Sequence, residues 1–346
     1  MRRLDGNHLT VCHSHSDFTN DGASGLRFVR SKIYLCLFVL FCLLTHTVNA
    51  IAVDSNILIL LSDNDDVYLD VATTIANATI KMCRNRDLDC QDTNFEISQI
   101  SSLNYEHPHN HKVIVTLGIK AAVYAKMHLN NKIIFSALIP KNSEALETSG
   151  SIHPNQHFLF LDQPLVRSML LISALSDSFK NIGVMISKHD AVTKNILTKS
   201  ASELDLSLNI EMVESADQIG ASLNRLLYNA DILLAVPDTK IHNKSTVSNI
   251  LISAYRKRTP LVGFSSAYVK AGALAAVYSS PEDIAFHVRD NIVELYLDGR
   301  IEDREQMAKY FSILLNTEVA RSLDFPNTSV SELESTMNKK SINEHD

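Results

Sequence analysis

An α/β fold built from two parallel-sheet lobes in tandem is predicted by three features of the sequence. Short β-branched runs alternate with amphipathic stretches. Several of those runs are apolar without interruption, as strands covered on both faces must be. The whole βα series then starts again near Leu165. The first run, Asn56–Leu61, is apolar from Ile57 onward and reads as a central strand. Val67–Met82 has helical period, with Val71, Ile75, Ala78 and Met82 on one side. Phe95–Ile100 alternates and reads as a strand nearer an edge. Lys112–Leu117 is another buried strand, followed by Gly118 and a helix through Met127. Lys132–Phe135 and His157–Leu161 complete the first series.

In the second series, Gln163-Pro164 introduces a helix over Leu165–Phe179, with Pro near the first turn, where a missing N–H costs least. Strands follow at Ile182–Ile186, Leu208–Val213, Asp231–Val236 and Leu261–Phe264, with helices at Val192–Leu204, Ala216–Leu227 and Lys244–Arg256 between them. Gly272–Tyr278 is a strand of small residues. Pro281–Leu297 is a helix with Ile284, Val288, Ile292 and Leu295 along one stripe, ended by Asp298-Gly299-Arg300. Phe311–Leu315 is a last strand and Glu318–Leu323 a short helix. A lone strand–helix pair and then a lone strand suggest that the chain returns first to one lobe and then to the other. Residues 326–346 are Ser-, Asn- and Lys-rich, and a flexible tail is expected there.

Residues 1–50 are set apart from the fold as a leader and signal peptide. Ile33–Leu44 is an unbroken apolar run, preceded by Arg27, Arg30 and Lys32 and followed by Val48-Asn49-Ala50. This is the order of an export signal, and cleavage is expected after Ala50. The polar, aperiodic stretch 1–26 suggests a translation start further downstream. The processed chain would keep 27 basic and 36 acidic residues, a formal balance of −9. An acidic surface with no basic, aromatic-interleaved run argues against nucleic acid as a partner. Of the five cysteines only Cys83 and Cys90 remain, seven apart. In an oxidising compartment the pair reads as a disulfide, with two buried thiols as the alternative. His107, His109 and His111 alternate in a loop where a metal or plain exposure are both readings. No nucleophile elbow, P-loop or dinucleotide turn is present, so neither enzyme activity nor a cofactor is expected.

Three stretches carry a resemblance: Val236-Pro237-Asp238-Thr239, Phe264 through Ala275, and Tyr310 through Leu323. They resemble the ABC transporter substrate-binding protein family that includes tryptophan/tyrosine-type receptors. Element order agrees over most of residues 55–325, and the sequence likeness is strongest from Asp231 to Tyr278. The resemblance implies the type I periplasmic-binding-protein fold: two doubly wound parallel-sheet lobes, three crossovers and a ligand in the interlobe cleft. It implies crossovers near 161–164, 263–268 and 299–309. Residues 51–162 plus 266–300 would then form the first lobe, and 163–265 plus 301–325 the second. Two loops of the first lobe depart from the family pattern, Thr116-Leu117-Gly118-Ile119 and Phe135 through Pro140.

In open parallel sheets ligands sit beyond the carboxyl ends of the strands, where helix N-termini point into the crevice. The candidate contacts at those ends are Ser62, Thr116, Gly118, Ser136, Ala137, Ser187, Asp238 and Ser265, with Tyr268 just beyond. Gly118 admits close approach of backbone to a ligand. Asp238 is the candidate for a ligand ammonium, and Tyr268 for stacking on a ring or cation. Helix capping is the alternative for the serines and for Asp238, and packing under the interlobe connection for Tyr268. The function expected is a periplasmic, monomeric receptor that delivers a small polar solute to an ABC permease. The alternatives are a ligand-sensing module for a membrane sensor, and a scaffold that binds nothing.

Overall fold

β1 (Asn56–Leu61) pairs in parallel with β2 (Asn94–Gln99) on one side and β3 (Val113–Leu117) on the other. Helices cover both faces, so Ile57 through Leu61 are all buried, which is why the run shows no alternation. β4 (Ile133–Ile139), β5 (Gln156–Phe160) and the short β11 (Glu305–Met307) extend the sheet, all parallel, in the order β11-β5-β4-β3-β1-β2. The second sheet holds β6 (Asn181–Ser187), β7 (Ser207–Val213), β8 (Ile232–Leu234), β9 (Leu261–Gly263), β10 (Ala275–Tyr278) and β12 (Ser312–Leu315). Its order is β12-β10-β9-β8-β6-β7, parallel throughout except for β12, which runs against β10. In each sheet the first strand lies between the second and the third. That is the doubly wound order, with its reversal between strands one and three. The computed structural model describes residues 56–103, 111–129, 131–148, 153–301, 303–325 and 328–342, so the leader and its cleavage site lie outside the described residues.

On the first sheet, α1 (Asp66–Asn85) starts where Asp65 Oδ1 accepts the Val67 N–H at 2.9 Å, with Asp66 adding favourable charge to the first turn. Its Val71, Ala72, Ile75 and Cys83 are buried along one stripe. α2 (Ile119–His128) and α3 (Glu144–Thr148) cover the opposite face. On the second sheet, α4 (Leu165–Leu175) and α5 (Ala191–Glu203) cover one face. α6 (Ile219–Asn229), α7 (Val247–Arg256) and α8 (Ser266–Lys270) cover the other. α9 (Pro281–Asp298) returns to the first sheet. A Ser280/Asp283 capping box with Pro281 inside it opens this helix, and Gly299 in the left-handed region closes it. Ile284, Val288, Ile292 and Leu295 join the core beneath α1. Cys83 and Cys90 are joined in a disulfide, buried against Val293 of α9.

Three expectations change. The small-residue strand β10 stays in the second sheet, paired with β9 and β12, so the chain returns to the first lobe at Ser279-Ser280 and not near 263–268. β11 in turn pairs with β5, which moves the last crossing to residues 308–311. Composition cannot say which sheet a short strand joins, since burial on both faces looks alike in either. The fourth strand also runs on to Ile139 through a bulge, with Leu138 at a φ of 56°.

The third change concerns the tail. α10 (Thr317–Ser322) is followed by α11 (Val330–Ile342), an ordered helix packed on α4. Ser329 and Glu332 cap it reciprocally, at 2.8 and 3.3 Å. Val330, Leu333 and Met337 share one face, and that spacing is enough to dock a segment whose average composition is polar. Leu333 is 0 % exposed. Leu333→Ala should therefore cost about 2–4 kcal/mol in a urea melt. A loss below about 1 kcal/mol would mean that α11 adds little to the second lobe.

Candidate functional site

The reversal points of the two sheets lie between β1 and β3 and between β6 and β8, so the crevices open beyond Ser62 and Gly118 in one lobe and beyond Ser187 and Asp238 in the other. At the first, the Ser62 N–H donates to Leu117 O at 3.0 Å, and Ser62 Oγ accepts the Ala121 N–H at 3.0 Å. The serine thus caps α2 from the neighbouring strand. Gly118 precedes that helix with a φ of 90° and donates its N–H to Ala137 O at 2.9 Å. A Cβ here would lie 2.6 Å from Ser62 Oγ and 2.6 Å from Tyr68 Oη, so both the backbone angle and the space require glycine. Tyr68 reaches this point from α1. Burial, with the carboxylates of Asp63 and Asp65, raises its pKa and keeps the phenol protonated as a donor.

At the second reversal Asp238 organises the backbone. Its Oδ2 accepts the Ser187 N–H at 3.0 Å and the Ser187 Oγ–H at 2.6 Å, and its Oδ1 accepts the Lys240 N–H at 3.0 Å. The Asp238 carbonyl accepts the His242 N–H at 2.7 Å. The carboxylate therefore ties the loop after β8 to the end of β6. Beneath that loop His242 Nδ1 and Tyr268 Oη are hydrogen-bonded at 2.8 Å, and Phe264 packs edge-on against His242. Burial pushes the His242 imidazole down to about 4, against the opposing pull of Asp238, and it pushes the Tyr268 phenol up. The pair is neutral in the native state. Gly263 makes room for it, since a Cβ there would fall 2.7 Å from Tyr268 Cβ.

Five of the expected contacts, Ser62, Gly118, Ser187, Asp238 and Ser265, stand at carboxyl ends of strands. Ser265 also caps α8, accepting the Tyr268 N–H at 3.3 Å. The other four lie inside. Thr116 Oγ1 donates to Ser136 Oγ at 2.9 Å across neighbouring strands, both side chains buried, and Ala137 sits in the core under α1 and α9. For Ser136 and Ala137 the physical reason is the length of β4, in which they are followed by Leu138 and Ile139, still within the strand. Tyr268 is 4 % exposed, so its ring faces the core in this conformation, with no face free for stacking.

His107 and His109 lie outside the described residues. His111 is buried and pairs with Glu96 at 3.2 Å, and no group of three potential ligands suited to a metal occurs among the described residues. Tyr68 and His242 were missed by sequence reasoning, because each reaches its place from a helix or loop with no signature of its own. Asp162, two residues past the end of β5, carried a visible strand-end signal. Burial raises the pKa of its carboxyl, while its hydrogen bond from the Lys141 N–H at 2.6 Å pulls it down.

Asp238→Asn leaves one oxygen where two are needed, and sets an NH₂ donor against an N–H or O–H donor. The variant should lose about 1–3 kcal/mol in a urea melt, and wild-type stability would show that the loop is held otherwise. A second expectation concerns acid. His287 in α9, whose Nδ1 accepts the Lys309 N–H at 3.1 Å, is likewise lowered to about 4, mainly by burial. Asp290 opposes that shift and Lys309 and Arg167 add to it. Both histidines are neutral when folded and bind protons more readily when unfolded. Their contribution is complete above pH 6.5, the ordinary histidine value, and is lost as pH falls toward about 4. Each should remove about 2–4 kcal/mol over that window. Urea midpoints measured from pH 7 to 4 check this, and a flat profile would contradict it.

A family model described as ABC transporter substrate binding protein matches residues 99–331, most of the chain. Among solved structures, the ligand-free, open structure of a substrate binding protein with adhesive properties from Clostridium difficile superposes with a TM-score of 0.58. The two chains are 15 % identical, with 79 % of this chain and 96 % of that one covered. A conserved domain protein from Vibrio cholerae and an ABC domain in complex with L-Trp from Streptococcus pneumonia are each 17 % identical, at a TM-score of 0.48. Each covers 81 % of this chain and 97 % of its own. No curated protein matches the chain. The two doubly wound lobes have the type I periplasmic-binding-protein fold, and the chain belongs to the ABC transporter substrate-binding protein family.

Proposed function

We propose that this protein is an exported, monomeric receptor that closes on a small polar solute and delivers it to an ABC permease without chemistry of its own. The observation that carries the reading is the matched pair of reversal points. Each lobe has the same strand order, and each presents its polar groups at the carboxyl edge, where ligands of such sheets bind. The proposed contacts are Ser62, Tyr68 and Gly118 from one lobe and Ser187, Asp238 and Ser265 from the other. Export is supported by the charged and apolar order of residues 27–50 and by the Cys83–Cys90 disulfide, which suits an oxidising compartment. Among the described residues no helix is long and apolar enough to cross a membrane.

A thermal-shift screen over amino acids, purines, sugars and oxyanions tests the reading. A true ligand at a hundred times its Kd should stabilise the protein by about 2.7 kcal/mol. Titration calorimetry with that ligand should then show Tyr68→Phe and Asp238→Asn binding more weakly, by about 1–3 kcal/mol for each lost hydrogen-bonding group. A screen without any hit, or variants that bind as tightly as wild type, would remove the receptor reading or the named contacts respectively.

A further inference from the structure

The crossovers at residues 161–164, 279–280 and 308–311 meet at one buried side chain, Gln163. Its Nε2 donates to Ser279 Oγ at 2.7 Å, in the second crossover, and to Tyr310 O at 3.0 Å, in the third. Ser279 Oγ donates onward to Leu161 O at 2.6 Å, back in the first. Gln163 Oε1 accepts from Arg167 Nη1. Arg167 also donates to Ala308 O at 2.6 Å and Lys309 O at 3.0 Å, and its guanidinium lies 5.0 Å from the centre of the Phe311 ring. The sense of the amide is fixed: the Tyr310 carbonyl can only accept and Arg167 can only donate. A side chain with two acceptors, or with none, cannot make this set.

We infer that Gln163 is a positioning residue that couples the three crossovers, so that they turn as one pivot when the lobes move. The inference rests on the reading that the lobes rotate about these segments. Each lobe has its own core on both faces of its sheet. Losing the tie should therefore leave the lobes folded while freeing the crossovers to bend independently. Wild type would sample a narrow range of lobe separations, and a variant without the tie a wide one.

The test needs no ligand. In the full chain, spin labels on genetically encoded ketone amino acids replace Met127 in α2 and Tyr228 in α6, both exposed and one in each lobe. Pulsed dipolar spectroscopy then gives the distribution of distances between lobes. Gln163→Leu and Gln163→Glu should each widen it about two-fold, as expected when a single population becomes several. Ser279→Ala, which removes the Gln163–Ser279 and Ser279–Leu161 bonds but leaves those of Gln163 to Tyr310 and Arg167, should widen it less. Circular dichroism melts establish that each variant is folded at the labelling temperature. Folded Gln163→Leu and Gln163→Glu with wild-type width would overturn the inference. If Gln163→Leu does not fold, Gln163→Glu and Ser279→Ala decide it in the same way. A screen that finds no solute would not alter this result, so failure of the pivot and failure of the receptor reading are told apart.

Discussion

Every crossing between the lobes is made at the carboxyl edge of a sheet. β5 and β10 leave their sheets at their carboxyl ends, at Phe160 and Tyr278, and β11 leaves at Met307. β12 enters the second sheet antiparallel to β10, so its first residue lies beside the last residue of β10. The Ser279–Leu161 hydrogen bond then holds two of these exits together. Parallel strands place the N-termini of the helices that follow them on that same edge. The crevice is therefore a consequence of connectivity: the polar ends of both sheets are brought to the crossovers before any particular side chain is chosen.

Side chains then give the two edges different character from similar beginnings. Asn56, Ser62, Asp65 and Val67 recur at the same spacing as Asn181, Ser187, Asp190 and Val192. Asp65 and Asp190 both cap the helix that follows the first strand of their lobe, and Ser62 directly follows that strand in one lobe as Ser187 ends it in the other. The partners differ. Ser62 accepts from a helix N-terminus beside the Tyr68 phenol, whereas Ser187 donates to the Asp238 carboxylate. One edge carries a helix N-terminus and a phenol flanked by the Asp63 and Asp65 carboxylates, and the other is organised around the Asp238 carboxylate.

The alternation of runs and helices was legible in the sequence because it rests on local periodicity. β1, the stripe on α9 and the pairing of Cys83 with Cys90 all follow from spacing along one segment. What was not legible depends on partners distant in sequence. β10 could have joined either sheet, and three residues of β11 carry no pattern at all. α11 looked like tail because its polar residues outnumber the three that matter, Val330, Leu333 and Met337. At the site, serines and glycine at strand ends could be read off directly. Thr116, Ser136 and Tyr268 could not be placed, since whether a polar group near a strand end faces a crevice or a core depends on where that strand stops. β4 runs past its expected end at Phe135 to Ile139, and that decides the matter for Ser136 and Ala137.

Buried polarity is distributed differently within the lobes and around the crossovers. Within each lobe the sheet faces are largely apolar, and buried polar groups such as Thr116 with Ser136 and His242 Nδ1 with Tyr268 are paired locally. Around the crossovers the packing is different. Gln163, Arg167, Ser279 and the Asp283 carboxylate, which also accepts from Ser312 Oγ at 2.7 Å, make directional bonds largely to backbone and to one another. Apolar packing is non-directional and tolerates small slips, whereas hydrogen bonds of this kind permit rotation about a few defined axes and resist translation. On the pivot reading, a joint made of them would keep the register of the lobes and narrow the range of their separations. Closure of the proposed receptor on one set of contacts would call for that restriction.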